Sequence, residues 1–152
     1  MRIGEIAAEV ARGLIAGAAG TVAMTVSSSL EAKLRDRGSS SAPADAAGKV
    51  LGVQPRDEGG QARFSNIVHW GYGTSWGAAR GLLEVAGIDG PAALAAHFAA
   101  VWGSAQVMLP SLDVAPPLWK SPPEEVAIDA LHHAVYVIAT GLAFAALGRT
   151  SS

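Results

Sequence analysis

Cysteine is absent from this chain of 152 residues, which excludes disulfides, thiolate zinc sites and thiol nucleophiles. Charge is scarce as well: Asp, Glu, Lys and Arg make up 16% of the residues, against roughly 25% in ordinary soluble domains. The formal charge of −2 gives no electrostatic reason to expect nucleic acid as a partner. Neither H-E-x-x-H nor a phosphate-binding loop occurs, so an enzyme is the least favoured class. The N-terminus "MRIGEIAAEVARGLIAGAAG" lacks the net basic start and short apolar core of a signal peptide. Its apolar run continues past cleavage-site length and reads as a retained helix.

What is present is apolar: 50% of the chain is hydrophobic, mean hydropathy is +0.30, and much of the rest is glycine, at 18 residues. Uneven spacing of the charges is the main signal. Gly13 to Leu30 is 18 residues without one, Phe64 to Ala79 is 16, Gly90 to Leu112 is 23, and Ala130 to Gly148 is 19. A helix crossing hydrocarbon needs about 20 mostly apolar residues. The second run reaches that length if Arg80 snorkels to the interface with Glu84 as its i+4 partner. An Ala-rich bundle in water would carry a charged stripe opposite each apolar one, and these runs lack it through their middles.

The expected fold is therefore all-α, a four-helix transmembrane bundle forming one domain over 1–152. Helices are expected near 8–34, 63–88, 91–110 and 122–148. Short connections join them apart from one long polar loop, 35–62, with room for a short surface helix over 43–52. Pro91 in "DGPAAL" marks a helix start and Pro110 a helix end. In "SPPEE", Ser121 and Glu124 have capping-box spacing around Pro122. Trp119 and Lys120 suit a membrane–water boundary. The basic residues lean towards a cytoplasmic 35–63 loop with both termini outside.

In lipid, helices associate through close backbone approach rather than by hiding apolar surface. Gly13, Gly17 and Thr21 form one small-residue ridge, Ala16 and Gly20 a second. Gly73, Gly77 and Gly81 form a third on the next helix, and Ala92, Ala96, Ala100 and Ser104 a fourth. A face for self-association would be left over, making a homo-oligomer a candidate assembly alongside the lipid bilayer itself.

A polar seam interrupts this apolar content. Glu125, Asp129 and His133 recur at i, i+4 and i+8, one face of a helix, with His132 and Tyr136 at its borders and Thr140 extending it. His69 lies four residues before Gly73, in line with a glycine ridge, and His97 and Gln106 fall on the third span. An ionised Asp deep in a bilayer costs about 2.5–3.5 kcal/mol, so Asp129 needs partners. His133 or His132 on its own helix, and His69 from the second span, are the candidates. A carboxylate beside an imidazole can hold or pass a proton near neutral pH. The bland readings are that Glu124 and Glu125 merely favour the helix dipole, and that His97 is a satisfied interhelical bond.

Around this seam the chain resembles the YagU-type family of bacterial inner-membrane proteins. The similarity runs through Pro110, the pair Pro116 and Pro117, Pro122, the carboxylates Glu125 and Asp129, and then His133, Val135 and Tyr136. It is strongest over 105–137, and "GLIAGAAG" resembles the family's first span. His69 matches a family histidine on an earlier helix. His97 does not align, because Ala105 stands where the family has its third-helix histidine. The resemblance implies an integral protein of the inner membrane and no particular reaction.

Three functional classes follow. Proton, ion or small-solute transport or homeostasis would use Glu125, Asp129, His132, His133 and Tyr136, with His69 facing them. A structural or partner-binding membrane subunit would use the small-residue ridges. A haem or divalent-metal protein would draw ligands from His69, Asp129, His132 and His133.

Overall fold

The computed structural model describes residues 2–38 and 40–149. The described residues are all-helical: α1 (Ile3–Leu34), α2 (Ala42–Leu51), α3 (Glu58–Val85), α4 (Gly90–Ser111) and α5 (Pro123–Arg149), with a 3-10 turn at Leu118–Lys120. Three helices, α1, α4 and α5, are long and apolar enough to cross a membrane. The run expected as the second span, 63–88, is α3, which has the length. Its Asn66, His69, Arg80 and Glu84 dilute the apolar content that the other three possess.

Local chemistry sets the ends. Asp57 caps α3 by accepting from Gly60 N–H at 2.7 Å. In α2, Pro43 sits in the first turn and Gly52, at φ 66°, stops the helix in the left-handed region that glycine enters freely. Two boundaries differ from the sequence expectation. Pro110 does not close α4; it lies inside the last turn, and the chain leaves the helix at Asp113, with φ 51°. The capping box does not form either. Ser121 donates its hydroxyl back to the Pro117 carbonyl at 3.3 Å, and α5 starts at Pro123 with its first bond running from Val126 N–H to the Pro122 carbonyl.

The four long helices alternate in direction, and α1 is the central one, packed between α3 and α5. Glycine decides how close these approaches are. A Cβ on Gly17 would lie 2.7 Å from Gly77 Cα, and one on Gly77 would lie 2.6 Å from Gly17 Cα. The ridge Gly13, Gly17 and Thr21 thus meets Gly73, Gly77 and Gly81 backbone to backbone. The second ridge of α1 faces α5: a Cβ on Gly20 would lie 2.8 Å from the Tyr136 carbonyl oxygen.

On α4 the expected ridge is one residue out of register. Ala93, His97, Val101 and Ala105 are buried, whereas Ala92 and Ala100 are exposed. Val101, Tyr136 and Val137 form the centre of the core, with Met24, Trp76, Leu94 and Phe98 around them. α2 rests on α3, and Lys49 ties it to the end of α4 by donating to the Leu112 carbonyl at 2.5 Å.

Candidate functional site

α5 presents its residues to two neighbours, and the two adjacent histidines part company there. The inward face of α5 is His132, Tyr136, Thr140 and Phe144, one residue per turn and all buried against α1. Glu125, Asp129 and His133 lie on the face turned away from that core. Asp129, its side chain 47% exposed, looks towards α4.

The Asp129 carboxylate is held by three groups. Trp102 Nε1–H donates to Oδ2 at 2.8 Å and Gln106 Nε2–H to the same oxygen at 3.1 Å. His133 Nδ1 stands 3.4 Å from Oδ1 and 2.8 Å from the Asp129 carbonyl oxygen. A carbonyl only accepts, so His133 carries its proton on Nδ1 and leaves Nε2 as the free lone pair when neutral. Two donors from α4 thus complete what a lone helical Asp–His pair would lack.

His132 turns the other way, to α1. Its Nδ1 shares a hydrogen bond with Ser27 Oγ at 2.8 Å, and its buried Nε2 points at Glu31 Oε2, 3.7 Å distant, without a hydrogen bond. Glu31 belongs to a charge cluster at this end of the bundle. Arg35 bridges Glu31 at 3.3 Å, Glu124 at 3.3 Å and Glu125 at 2.7 Å, while Arg37 pairs with Glu31. The hydrogen bond it donates to Glu125 holds the Arg35 guanidinium above its ordinary pKa, and the one donated to Glu31 does the same for Arg37. Glu125 is accordingly part of an exposed ion-pair network that joins α1 to α5.

His69 lies at the α1–α3 contact, its Nε2 2.7 Å from Thr25 Oγ1. Thr25 gives its single hydroxyl proton to the Thr21 carbonyl at 2.7 Å, so His69 donates through Nε2–H. No hydrogen bond or ion pair joins His69 to Asp129, His132 or His133 among the described residues. Nor do any three His, Asp or Glu side chains gather there into a site that could hold a metal ion. Of the four residues that a metal or haem would draw on, His69 and His132 turn to α1, whereas Asp129 turns to α4 and His133 to Asp129 itself.

Deeper in, Tyr136 donates its hydroxyl to the Gly73 carbonyl at 2.6 Å, pinning α5 to α3. His97 is fully buried beside it, ring centroids 5.7 Å apart, and donates from Nε2 to the Trp76 carbonyl at 3.0 Å. At the far end, Arg12 and Arg80 place their guanidinium carbons 3.7 and 4.2 Å from the centroid of the Phe144 ring. Arg12 pairs with Glu9 and Arg80 with Glu84, each at 3.0 Å. Arg80 therefore does not snorkel outwards; it is 7% exposed, drawn in by the face of Phe144 and by Glu84 together.

No family model, curated protein or solved structure matches this chain. The arrangement of its own side chains is what bears on function.

One apparent motif is explained by the fold. Gly73-Thr74-Ser75-Trp76-Gly77 fits the serine-nucleophile pattern G-x-S-x-G, but it lies mid-helix in α3 instead of on a strand-to-helix turn. Ser75 is exposed and donates to the Gly71 carbonyl at 2.7 Å, and the two glycines belong to the ridge packed on α1. Sequence reasoning also missed Ser27, Thr25 and Glu31. Their signal was available: Thr21, Thr25 and Ser28, and then Ser27 and Glu31, recur at helical spacing on an otherwise apolar helix.

Proposed function

We propose that this chain is a four-helix transmembrane bundle of the bacterial inner membrane, a YagU-type protein, and that it conducts protons or ions along its buried polar seam. Support for lipid as its surroundings comes from outward aliphatic side chains: Ile15, Ile67, Val107 and Leu142 are each more than 60% exposed. Further support comes from the spacing of the charges. The Arg35–Glu125 cluster and the Arg12–Arg80 cluster at Phe144 are 19 residues apart on α5, roughly 28 Å at about 1.5 Å per residue. That separation suits a hydrocarbon core about 30 Å thick. In this frame Arg80 ends the α3 span at one boundary, so a helix of modest apolarity still crosses.

The observation that carries the transport reading is the inward face of α5. Between the two charge clusters it sets His132, Tyr136 and Thr140 on consecutive turns, all buried. Polar and ionisable groups inside a membrane are costly, and they mark pathways more often than packing. Glu125 and Asp129 supply carboxylates at the loop end, His132 and His133 proton-accepting nitrogens, His69 a third imidazole, on α3, and Tyr136 a hydroxyl at mid-depth.

Purified protein in liposomes, with an imposed pH gradient and internal dyes for H+, Na+ and K+, tests this reading. The gradient is expected to dissipate faster than in empty vesicles, and more slowly again with Asp129→Asn and His132→Ala. Fluxes equal to those of empty vesicles for all three ions would refute it.

A second reading has one observation in its favour. The outer side of α4, with Ala92, Ala99, Ala100 and Val107 exposed, is covered by no other helix among the described residues. Such a small-residue face suits docking of another helix. A single-chain mass in mild detergent would count against it.

A further inference from the structure

We infer that the polar seam continues past Tyr136 through His97, Thr140 and Arg80 to Glu84, and that bound internal water makes it a wire for protons alone. This inference rests on the transport reading above. It adds the half of the route facing the chain termini, and the identity of what moves.

Among the described residues, four buried side-chain atoms have no hydrogen-bond partner: His132 Nε2, His97 Nδ1, Thr140 Oγ1 and Arg80 Nη1. Buried polar atoms are otherwise almost always satisfied, because an unmet donor or acceptor costs about 1–3 kcal/mol. Here the four are not scattered. His132 and Thr140 are eight residues apart on the same inward face of α5. His97 packs against Tyr136 between them, and Arg80 lies over Phe144, one turn beyond Thr140.

Their chemistry is complementary. His97 spends Nε2–H on the Trp76 carbonyl, which leaves Nδ1 as a lone pair when the ring is neutral. Arg80 Nη1 is a pure donor, and Thr140 Oγ1 both donates and accepts. An acceptor, a donor and a hydroxyl in one polar interior are the partners that ordered water takes, two to four at a time. At about one buried water per 27 residues, a chain of 152 would hold about five or six.

Water so placed links His132 to Glu84. A proton arriving from the Glu31 side adds to His132 Nε2 and passes on to water. It adds to Nδ1 of His97, and the same atom returns a proton to the next water, on to the half-exposed Glu84 carboxylate. Only O–H and N–H bonds form and break, and one proton gained at one side equals one lost at the other.

Larger ions are excluded by packing. α1 and α3 touch backbone to backbone at Gly17 and Gly77, and Tyr136 and Phe144 are almost completely buried, so no open bore accompanies the line. A dehydrated Na+ or K+ would need a cage of several oxygens in place of its hydration shell. His97 meets the Tyr136 ring and the Trp76 carbonyl, which form no such cage. At the exit, two arginines and two glutamates pair off, so the boundary cluster sets up no net charge barrier.

The test uses the full chain in liposomes, with His97→Gln, which keeps the bond to Trp76 but offers no basic nitrogen, and Thr140→Val, which removes only the hydroxyl. Ser75→Ala on the outer face of α3 is the control. Proton flux is expected to fall about tenfold in each of the first two, ~1.4 kcal/mol of barrier, and to stay at the wild-type level in the third. Na+ and K+ should leak no faster than from empty vesicles.

Wild-type flux in both His97→Gln and Thr140→Val, or passage of Na+ or K+, would overturn the inference while leaving transport standing. No flux in wild type would remove both. A measurement on wild type guards against misfolded variants: nitrogen NMR of labelled histidine should show His97 as the Nε2–H tautomer with magnetisation transfer from water, and a dry ring would overturn the proposal.

Discussion

Replacing Gly77 and Gly71, both on α3, with alanine should shift stability in opposite directions. The chemical change is identical, so helix propensity contributes equally: alanine is favoured over glycine by about 0.8–1 kcal/mol in a helix interior. The surroundings differ. A Cβ at Gly71 meets nothing within 4 Å. At Gly77 it would lie 2.6 Å from Gly17 Cα and 2.7 Å from Gly17 N, about 1 Å inside the 3.5–4.0 Å at which carbon atoms rest. Those atoms are backbone and cannot swing aside, so α1 and α3 must separate along their whole contact. Overpacking of this kind costs about 1–3 kcal/mol. Set against the propensity gain, Gly77→Ala should end up to about 2 kcal/mol less stable than wild type, and Gly71→Ala up to about 1 kcal/mol more stable. Reversible unfolding in mixed detergent micelles, followed by far-ultraviolet circular dichroism, reads the difference. Equal shifts in the same direction would show that α1 and α3 do not meet at Gly17 and Gly77.

Two further outcomes follow from the core. Tyr136→Phe removes the donor to the Gly73 carbonyl; it should cost about 1 kcal/mol in the same unfolding assay, and an unchanged midpoint would deny that the hydroxyl pins α5 to α3. Phe144→Leu removes the ring between Arg12 and Arg80. A double-mutant cycle with Arg80→Met should give a coupling of about 0.5–2 kcal/mol, whereas a coupling near zero would reduce Phe144 to a space-filler.

The seam shows where reading along a helix runs out. Spacing groups Glu125, Asp129 and His133 on one face of α5, and they do share one. Whether that face or its neighbour looks inward is a rotation of about 100° about the helix axis, the angle between adjacent residues. Gly20 admits Tyr136 and Thr140 at close range, and that approach turns His132 to the core and His133 towards Asp129. The same one-residue ambiguity put the α4 ridge at Ala92 and Ala96 when Ala93 and His97 are the buried pair. On a helix as uniformly apolar as α4, alanines on every side give no preferred face.

Charge distribution and glycine spacing, both properties of the chain alone, determined that the molecule is helical, roughly where its long helices run, and which of them carry small-residue ridges for close packing. These are local facts: a charge-free run needs its backbone bonds satisfied within the helix, and a missing Cβ permits close approach whatever the partner. Tertiary structure alone decided which histidine is buried, that Trp102 and Gln106 complete the Asp129 site, and that Arg80 folds inward over Phe144. Each of those outcomes depends on how one helix is turned against another, and that rotation is fixed by the sum of contacts across the bundle, not by any one segment.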